Sequence, residues 1–487
     1  HAKRRVDRMS MKRRPEARQE SLWIASDVVA SSPGHPFYEK LEKILRDEGF
    51  DAFVESECAS YYSERKGRPS IPPGVYFRML LIGYFERLDS ERGICWRCAD
   101  SLSLRNFLGL GLDESIPDHS SLSRIRTRLS LEVHDAVFRW VLGVLGAHGL
   151  IDGKTLGVDA TTLEANAALR SIVRRDTGET YEEYLKDLAR ESGIDTPTRS
   201  DLAKLDRKRP KKGSNKEWVN PHDPEAEIMK MKHGATHLWH KAEHAVDMSG
   251  AGAVLSVTLH GGAKGDTKSL PDTLEAAQSN LHELSDDPET QDEIHDEAGR
   301  EVVADKGYHG NETLCALIDE GYRTYISEPD RGTRKWIGKK DAQAATYANR
   351  RRIRGDRGKR LLRKRGELLE RPLAHYLEAG GMRRTHLRHH GNILKRLLVH
   401  IAGFNLGMLM RDLLGTRTPK EYAEGTRSLS GAFSRIFGYL FACFTPGQSV
   451  LSAIFTGRSV EDNNPDRESR NPKFGSQARI LAFSTGC

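Results

Sequence analysis

Two short apolar runs in this sequence each end in an aspartate. The run LGVD ends at Asp159 and the run VVAD ends at Asp305, and each acid is followed by a small or turn-forming segment. Apolar runs of this length predict buried strands, and carboxylates on rigid neighbouring strands are the hard oxygen ligands that Mg²⁺ prefers. Two divalent ions about 3.5–4 Å apart can activate the attacking oxygen of a phosphodiester reaction and stabilise the leaving oxygen. One such aspartate would often be only a helix cap, but a pair is typical of metal-dependent phosphodiester chemistry.

The segments around these two acids predict an α/β region from about residue 150 to 414. HGATHLWHKAEHAVDMSG and AVLSVTLHGG alternate like an antiparallel hairpin, and YRTYISE predicts another strand. Helices are predicted for SLPDTLEAAQSNLHEL, NETLCALIDEG and NILKRLLVHIAGFNLGMLMRDLL. The fold class expected is a mixed sheet flanked by helices, with a polar insertion at about 167–225 that has one helical piece, and a basic loop at about 329–365.

The region from 35 to 150 predicts helices alone. A helix over about 91–107, the turn LGLG and a second helix opened by the capping residues Pro117, Asp118 and Ser120 are typical of a helix-turn-helix DNA-binding unit. Three arginines of the second helix are then the candidate DNA contacts: Arg124, Arg126 and Arg128. A plain helical hairpin is the alternative that the pattern leaves open.

Positive charge is concentrated in one window of the chain. Residues 350–396 hold sixteen Lys/Arg and four Asp/Glu, whereas the whole chain has a net charge of +7. Such a window indicates a polyphosphate partner, although a solvated helix face would have the same composition. The candidate DNA contacts here are Arg351, Arg352, Arg363, Arg365 and Arg371. Trp336, in a basic loop, could stack on an unpaired base or pin the loop to the core.

The rest of the composition indicates a protein of a reducing compartment and predicts no membrane-spanning segment. Six scattered cysteines make no disulfide framework, and Cys95 and Cys98 have zinc-site spacing without a second pair, which favours buried helix cysteines. Residues 1–34 predict a disordered basic leader with no apolar signal segment, and 415–487 predict a tail of low pattern. The most apolar stretch, near 431–455, is interrupted by polar residues, so no membrane span is expected.

Several of these segments together resemble the DDE transposases of bacterial insertion sequences. The resemblance rests on GVDATTLEANA, HKAEHAVD, AVLSVTLHGGAKGDT, VVADKGYHG, RGELLER and GNILKRLLVHIAGFNLG, and on GRPSIPPGVYFRMLLIGYFE and PDHSSLSRIRTRL nearer the start. It runs in family order from about 36 to 414. It implies a ribonuclease-H-like core whose first two catalytic, metal-binding acids are Asp159 and Asp305, preceded by a DNA-binding domain.

The third acid of such a site has two candidates, Glu367 and Glu370. Proline is tolerated best in the first turn of a helix, so Pro372 predicts a helix that begins near Glu370, after a break at Gly366. Glu370 also matches the family's motif in the ELLER context, and it is the favoured third catalytic and metal-binding residue. The Tyr, Arg and Lys that many relatives carry around this Glu are absent, so hairpin-forming chemistry is not expected.

The resemblance implies a cytoplasmic bacterial enzyme that acts on DNA. It would bind the terminal inverted repeats of an insertion sequence, cut DNA at the element ends and join the 3′-OH ends to target DNA. The implied cofactor is two Mg²⁺ ions, with Mn²⁺ as substitute. The implied assembly is a homodimer or a larger oligomer. A catalytically silent DNA-binding descendant and a nuclease that never joins ends remain as alternatives.

Other polar residues are expected to serve the structure. Asp247 and Asp266 stand in turn-like contexts and predict turn and capping roles. His386, His389 and His390 lie among arginines, where phosphate contact or solvation is favoured over metal binding.

Overall fold

The computed structural model describes residues 34–62, 70–208, 213–231, 234, 236–332 and 334–425. The chain divides into two compact units, and every described residue belongs to the first, His1–Arg427. The leader predicted at 1–34 and most of the tail predicted at 415–487 lie outside the described residues.

The described residues before 150 form helices and no strand, as predicted. Its helices are α1 Pro36–Asp47, α2 Phe50–Cys58, α3 Pro73–Phe85, α4 Glu91–Ala99, α5 Leu102–Phe107, α6 His119–Arg128 and α7 Leu131–Ala147. The prediction of one helix over 91–107 was wrong, because the Ser101 hydroxyl accepts the N–H of Leu104 and starts a new helix there. The Asp118 side chain caps α6 by accepting the Ser120 N–H, as its position predicts.

A mixed sheet of six strands forms the centre of the remaining chain. Its strands are β1 Thr155–Glu164, β4 Glu227–Lys230, β5 Thr236–Asp247, β6 Val254–Gly261, β7 Glu301–Ala304 and β8 Arg323–Ile326. The order is β4-β5-β1-β7-β8, and β6 also pairs with β5. β5 is antiparallel to β1 and β6, which confirms the predicted hairpin, whereas β7 is parallel to both β1 and β8.

Helices cover this sheet and fill the insertion. α8 Tyr181–Glu191 and α9 Arg199–Lys208 belong to the insertion, together with the small sheet of β2 Val173–Arg174 and β3 Trp218–Val219. The helices that follow are α10 Asp266–Asp286, α11 Asn311–Asp319, α12 Lys340–Arg354, α13 Asp356–Ala374, α14 His390–Leu414 and α15 Pro419–Gly425. The insertion therefore has two helices where one was predicted.

Two predictions near the third acid were wrong. The supposed basic loop at 329–365 is largely helical, since it contains α12 and the first half of α13. The helix that carries Glu370 begins at Asp356, with Pro372 inside it. Proline removes one i→i−4 hydrogen bond from a helix interior, and α13 continues past it into a π-helical turn, His375–Ala379.

A close approach of α13 to β1 sets the position of that helix over the sheet. A Cβ on Gly157 would lie 2.5 Å from Leu369 Cδ1 and 2.6 Å from Met248 Sδ, so a larger residue at this point would have to displace both side chains. The Arg357 guanidinium also bonds Glu301 at the start of β7, with Nε 3.0 Å from Oε1. α13 thus crosses the strands that carry both aspartates.

α14 is a core helix. The segment His390–Ala423 is long and apolar enough to cross a membrane by length and composition, but 89% of its apolar window is buried in the protein. It packs on α7, α3 and β6, and the N-terminal helices and the sheet share one hydrophobic cluster. Packing inside the protein accounts for its apolar surface.

Candidate active site

Asp159 and Asp305 lie side by side at the ends of two parallel strands. Ala304, the last residue of β7, pairs with Val158 of β1. Asp305 follows Ala304 and Asp159 follows Val158, so the two aspartates are neighbours across the sheet. The Asp305 side chain is 45% exposed and that of Asp159 is 23% exposed. The structure therefore brings together two acids that stand 146 residues apart, at an edge that a large substrate can reach.

Arg365 of α13 lies between the two acids. Its Nη1 is 3.3 Å from Asp159 Oδ2, and its Nη2 is 3.9 Å from Asp305 Oδ1. The other oxygen of Asp159 accepts the Ala160 N–H at 2.9 Å. This residue was a predicted phosphate contact, and the structure places it at the acids themselves.

The charge around Asp159 opposes its ionisation. Burial raises the pKa of the Asp159 carboxyl above its ordinary value, and the nearby carboxylates of Asp305 and Asp266 raise it further. The Ala160 N–H and Arg365 act in the opposite direction, because both stabilise the charged form. A further cation beside these acids would be bound favourably for the same reason.

Glu370 is exposed on α13 and, within the described residues, forms no hydrogen bond or ion pair with either aspartate. Its direction follows from the helix turn of about 100° per residue. Lys364 Nζ donates to Met248 O near the start of β1, whereas the next side chain, Arg365, reaches the acids near the strand ends. Glu370 lies about 140° beyond Arg365 in this rotation, away from the face of α13 that packs on the sheet.

Glu367 points elsewhere on the same helix. It lies about 60° beyond Glu370 in the same rotation, on the outer surface of α13. There it pairs with Arg371 one turn later, with Oε1 2.9 Å from Nη2. Both glutamates thus point away from the side of α13 on which Arg365 reaches the aspartate pair, and the structure does not choose between them.

A buried polar network that the sequence analysis missed supports the loop after Asp305. Glu243 of β5 is fully buried and accepts hydrogen bonds from Ser269 at 2.6 Å, Thr273 at 2.7 Å and Tyr308 at 2.9 Å. Tyr308 ends the short 3₁₀ turn Lys306–Tyr308 that begins directly after Asp305. The network therefore anchors the segment that carries the second acid.

Lys241, also on β5, completes this network. Its Nζ is 2.6 Å from Asp266 Oδ1 and 2.8 Å from Ser269 Oγ. The sequence feature that indicates this network is in HKAEHAVD, where Lys241 and Glu243 lie two residues apart within a predicted strand. Charged residues on the same face of a buried strand must be paired.

Asp247 has the turn role predicted for it, whereas Asp266 makes no capping hydrogen bond and pairs with Lys241 instead. Asp247 accepts the N–H groups of Asp152 at 2.8 Å, Ser249 at 2.9 Å and Gly250 at 3.1 Å, which closes the turn after β5. Asp266 is the first residue of α10, where a negative charge is favourable. Asp266 also lies close enough to Asp159 to raise the pKa of that carboxyl.

The three arginines of α6 differ in their availability to DNA. Arg124 and Arg128 are exposed, and Arg124 Nη2 bonds Ser120 Oγ of its own helix at 2.8 Å. Arg126 is 13% exposed and forms an ion pair with Glu91 of α4. Burial lowers the pKa of its guanidinium. Arg126 therefore holds α6 against α4 in this structure.

The arginines after residue 350 divide in the same way. Arg352 donates to Thr324 of β8 through Nε, at 2.9 Å from its carbonyl oxygen, and joins α12 to the sheet. Arg351, Arg363 and Arg371 are exposed. Trp336 is half-buried against Tyr347 with the Arg334 guanidinium 5.5 Å from its ring centroid, which agrees with the alternative that it pins its loop.

The donor set at the acid pair fits a divalent metal of the Mg²⁺ type. Both carboxylates offer hard oxygen ligands on rigid strands, and the mutual repulsion of Asp159, Asp305 and Asp266 is the kind that a cation relieves. In this structure the Arg365 guanidinium supplies the positive charge beside Asp159 and Asp305.

Comparison with known proteins supports a role in transposition. Residues 27–128 match the model of the family described as Transposase domain (DUF772). The match covers α1 to α6 and ends at Arg128, before the sheet that carries both acids begins. A search of curated proteins finds no match. The helical N-terminal region is thus the part of the chain that is similar to a transposase family.

Proposed function

We propose that this protein is a DNA transposase of the DDE class that cuts and joins DNA at the ends of an insertion sequence. The observation that carries the proposal is the placement of Asp159 and Asp305 at the same edge of a mixed sheet, behind a helical region that matches a transposase domain. The strand order and the single antiparallel strand beside β1 support a ribonuclease-H-like core.

Asp159 and Asp305 would hold the divalent metal, and Glu370 would complete the set. Glu370 is favoured over Glu367 because it matches the family's motif in the ELLER context, whereas the Glu367 carboxylate pairs with Arg371. When bound, Mg²⁺ or Mn²⁺ would make the attacking oxygen more nucleophilic and stabilise the leaving oxygen.

The residues around the metal ligands position the acids and the substrate. Glu243 fixes Tyr308 and so the segment that begins at Asp305. Arg365 holds both carboxylates in the free protein and, with DNA present, offers its guanidinium to the phosphate beside them. The exposed Arg124 and Arg128 of α6 would contact the element end in a helix-turn-helix arrangement, with α6 as the recognition helix.

Incubation of the full chain with a duplex that carries the flanking element ends, with Mg²⁺, Mn²⁺ or Ca²⁺, tests this function. We expect cut and joined products with Mg²⁺ and Mn²⁺, binding without cutting with Ca²⁺, whose coordination is larger and looser, and no products with chelator. Full cleavage in chelator would exclude the metal mechanism. Cut ends that never join a target plasmid would instead identify a nuclease, and specific binding without cutting would identify a silent DNA-binding descendant.

A further inference from the structure

Three imidazoles and two carboxylates gather at a second place in the protein. Asp223 and Glu225 come from the end of the insertion, His240 from β5, and His389 and His390 from the start of α14. His240 pairs with Leu163, four residues beyond Asp159 on β1, which corresponds to roughly 13 Å along the strand. The cluster is therefore separate from the acid pair.

Hydrogen bonds inside the cluster determine which ring nitrogens carry protons. His240 Nε2 lies 3.1 Å from Asp223 Oδ2, and a carboxylate can only accept, so this nitrogen carries the hydrogen. The other nitrogen of neutral His240 is then an acceptor, and it lies 3.0 Å from His390 Nε2. His390 therefore donates through Nε2 and has a lone pair on Nδ1.

That lone pair faces a carboxylate. His390 Nδ1 lies 3.7 Å from Glu225 Oε1, and His389 Nδ1 lies 4.0 Å from Glu225 Oε2. Acceptors that face each other need a cation between them. One ligand atom from each of Asp223, Glu225 and His389 lies within 4.8 Å of the others, and no other three acids, histidines or cysteines in the described residues do so.

We propose that this cluster is a structural site for a divalent transition metal, with Zn²⁺ as the ion that suits its mixed imidazole and carboxylate donors. Asp223, Glu225 and His389 supply three donors, and His390 Nδ1 supplies the fourth. Zn²⁺ bonds nitrogen and oxygen at about 2.0–2.2 Å in a tetrahedron, so its ligand atoms lie about 3.3 Å apart. Inward shifts of about an ångström would close the site.

The surroundings favour a cation over the phosphate contact that the neighbouring arginines had suggested. Two carboxylates would repel an anion at this place. Asp223 is fully buried, and its second oxygen also accepts the His389 N–H at 3.2 Å. His240 donates a hydrogen bond to Asp223, and such support of a ligand by a neighbouring side chain is usual around a bound metal. Glu225 is 44% exposed, so an ion can enter from solvent.

A metal here would join two parts of the chain directly. It would tie the end of the insertion to the start of α14, the helix at the centre of the shared core, while β5 supports the site through the hydrogen bond from His240 to Asp223. This site is independent of the proposed cleavage chemistry, because none of its ligands is an acid of the Asp159 pair. Its expected effect is on stability and not on the chemical step.

The test measures Zn²⁺ content and thermal unfolding of the full chain after chelator treatment and reloading. Asp159→Asn and Asp305→Asn are introduced together throughout, so that the acid pair does not contribute. We expect one Zn²⁺ per chain and a higher Tm with Zn²⁺. Both effects should be lost in Glu225→Gln and in His389→Ala, whereas His386→Ala, an exposed histidine of the same segment that pairs with Asp89, should keep them.

Substitution of Co²⁺ separates this site from Cys95 and Cys98. Ligation by nitrogen and oxygen gives no thiolate-to-cobalt charge-transfer band, and that is the spectrum we expect. A thiolate band, or stoichiometric Zn²⁺ in both Glu225→Gln and His389→Ala, would overturn the proposal. Absence of any Zn²⁺ binding would overturn it as well, while Mg²⁺-dependent cleavage in the unmodified chain would be unaffected by that result.

Discussion

The Arg365 guanidinium lies 3.3 Å from the Asp159 carboxylate and so occupies the place where two strand ends bring their acids together. An arginine in this position acts as a built-in counter-ion. It lowers the pKa of the Asp159 carboxyl against the effect of burial, and it must share both carboxylates with any metal that binds.

Arg365→Gln should therefore strengthen metal binding and weaken cleavage. Removal of the guanidinium leaves both carboxylates for the metal, and we expect Mn²⁺ to bind about tenfold more tightly, which corresponds to about 1.4 kcal/mol. Cleavage should fall because the phosphate loses a cationic contact. Titration calorimetry with Mn²⁺ measures the first effect, with the exposed Arg363→Gln as control. Unchanged Mn²⁺ affinity in Arg365→Gln would show that this arginine does not compete for the acids.

The three proposed metal ligands should be needed for cutting but not for binding. Asp159→Asn, Asp305→Asn and Glu370→Gln should each lower cleavage by orders of magnitude, because each removes a ligand. Binding of the element end should stay within about threefold, roughly 0.65 kcal/mol. Glu367→Gln is the matched control on the same helix and should stay active. The reverse result, with Glu370→Gln active and Glu367→Gln inactive, would assign the third role to Glu367.

Sequence preference should depend on Arg124. Its exposed side chain on α6 is free to turn from Ser120 towards a base edge, so Arg124→Ala should weaken binding to the element end by roughly 1–3 kcal/mol. Binding to scrambled DNA should change little. Competition binding with both duplexes decides this, with the exposed Arg190→Ala of α8 as control. Equal loss on both duplexes would make α5 and α6 a plain helical hairpin.

The salt dependence of DNA binding should distinguish the role of Arg351 from that of Arg352. Arg351 is exposed, and Arg351→Ala should weaken binding to all duplexes and reduce the slope of log K against log salt by about one per lost phosphate contact. Arg352→Ala should mainly lower the free energy of unfolding, since Arg352 joins α12 to Thr324. Filter binding at several salt concentrations and urea unfolding measure the two effects. An unchanged salt slope in Arg351→Ala would count against a phosphate contact there.

His134 should make the protein less stable in mild acid. Burial lowers the pKa of its imidazole from 6.5 to about 4, although the hydrogen bond that Nδ1 donates to Ser130 O acts in the opposite direction. In the neutral ring Nε2 accepts from the Tyr76 hydroxyl. Below pH 6.5 the His134 imidazole binds a proton in the unfolded chain, whereas in the folded protein it stays neutral down to about pH 4. The stability contributed above pH 6.5 is thus lost as pH falls, by about 3 kcal/mol in total.

Urea unfolding between pH 7.5 and 4 measures this loss. In His134→Gln the decline in the free energy of unfolding over that range should be smaller than in the unmodified chain by about that amount. His282→Gln replaces an exposed histidine and should leave the decline as it is. Parallel pH profiles for the unmodified chain and His134→Gln would contradict the assignment.

Local patterns were enough to find the two aspartates and most of the elements around them. An apolar run that ends in Asp predicts a strand and its end, because burial and alternation act within a few residues. The hairpin of β5 and β6 and the helical region before 150 followed from the same short-range periodicity. The turn role of Asp247 likewise followed from its turn-like local sequence.

Other features depend on contacts between distant parts of the chain, so only the tertiary structure decided them. The start of the helix at Asp356 overrode the local preference of Pro372, because packing of Leu369 on Gly157 and the Arg357 pair with Glu301 stabilise the longer helix. Whether an arginine is free for DNA or committed inside the protein is decided by a partner far away in sequence, because an ion pair forms wherever folding brings opposite charges together.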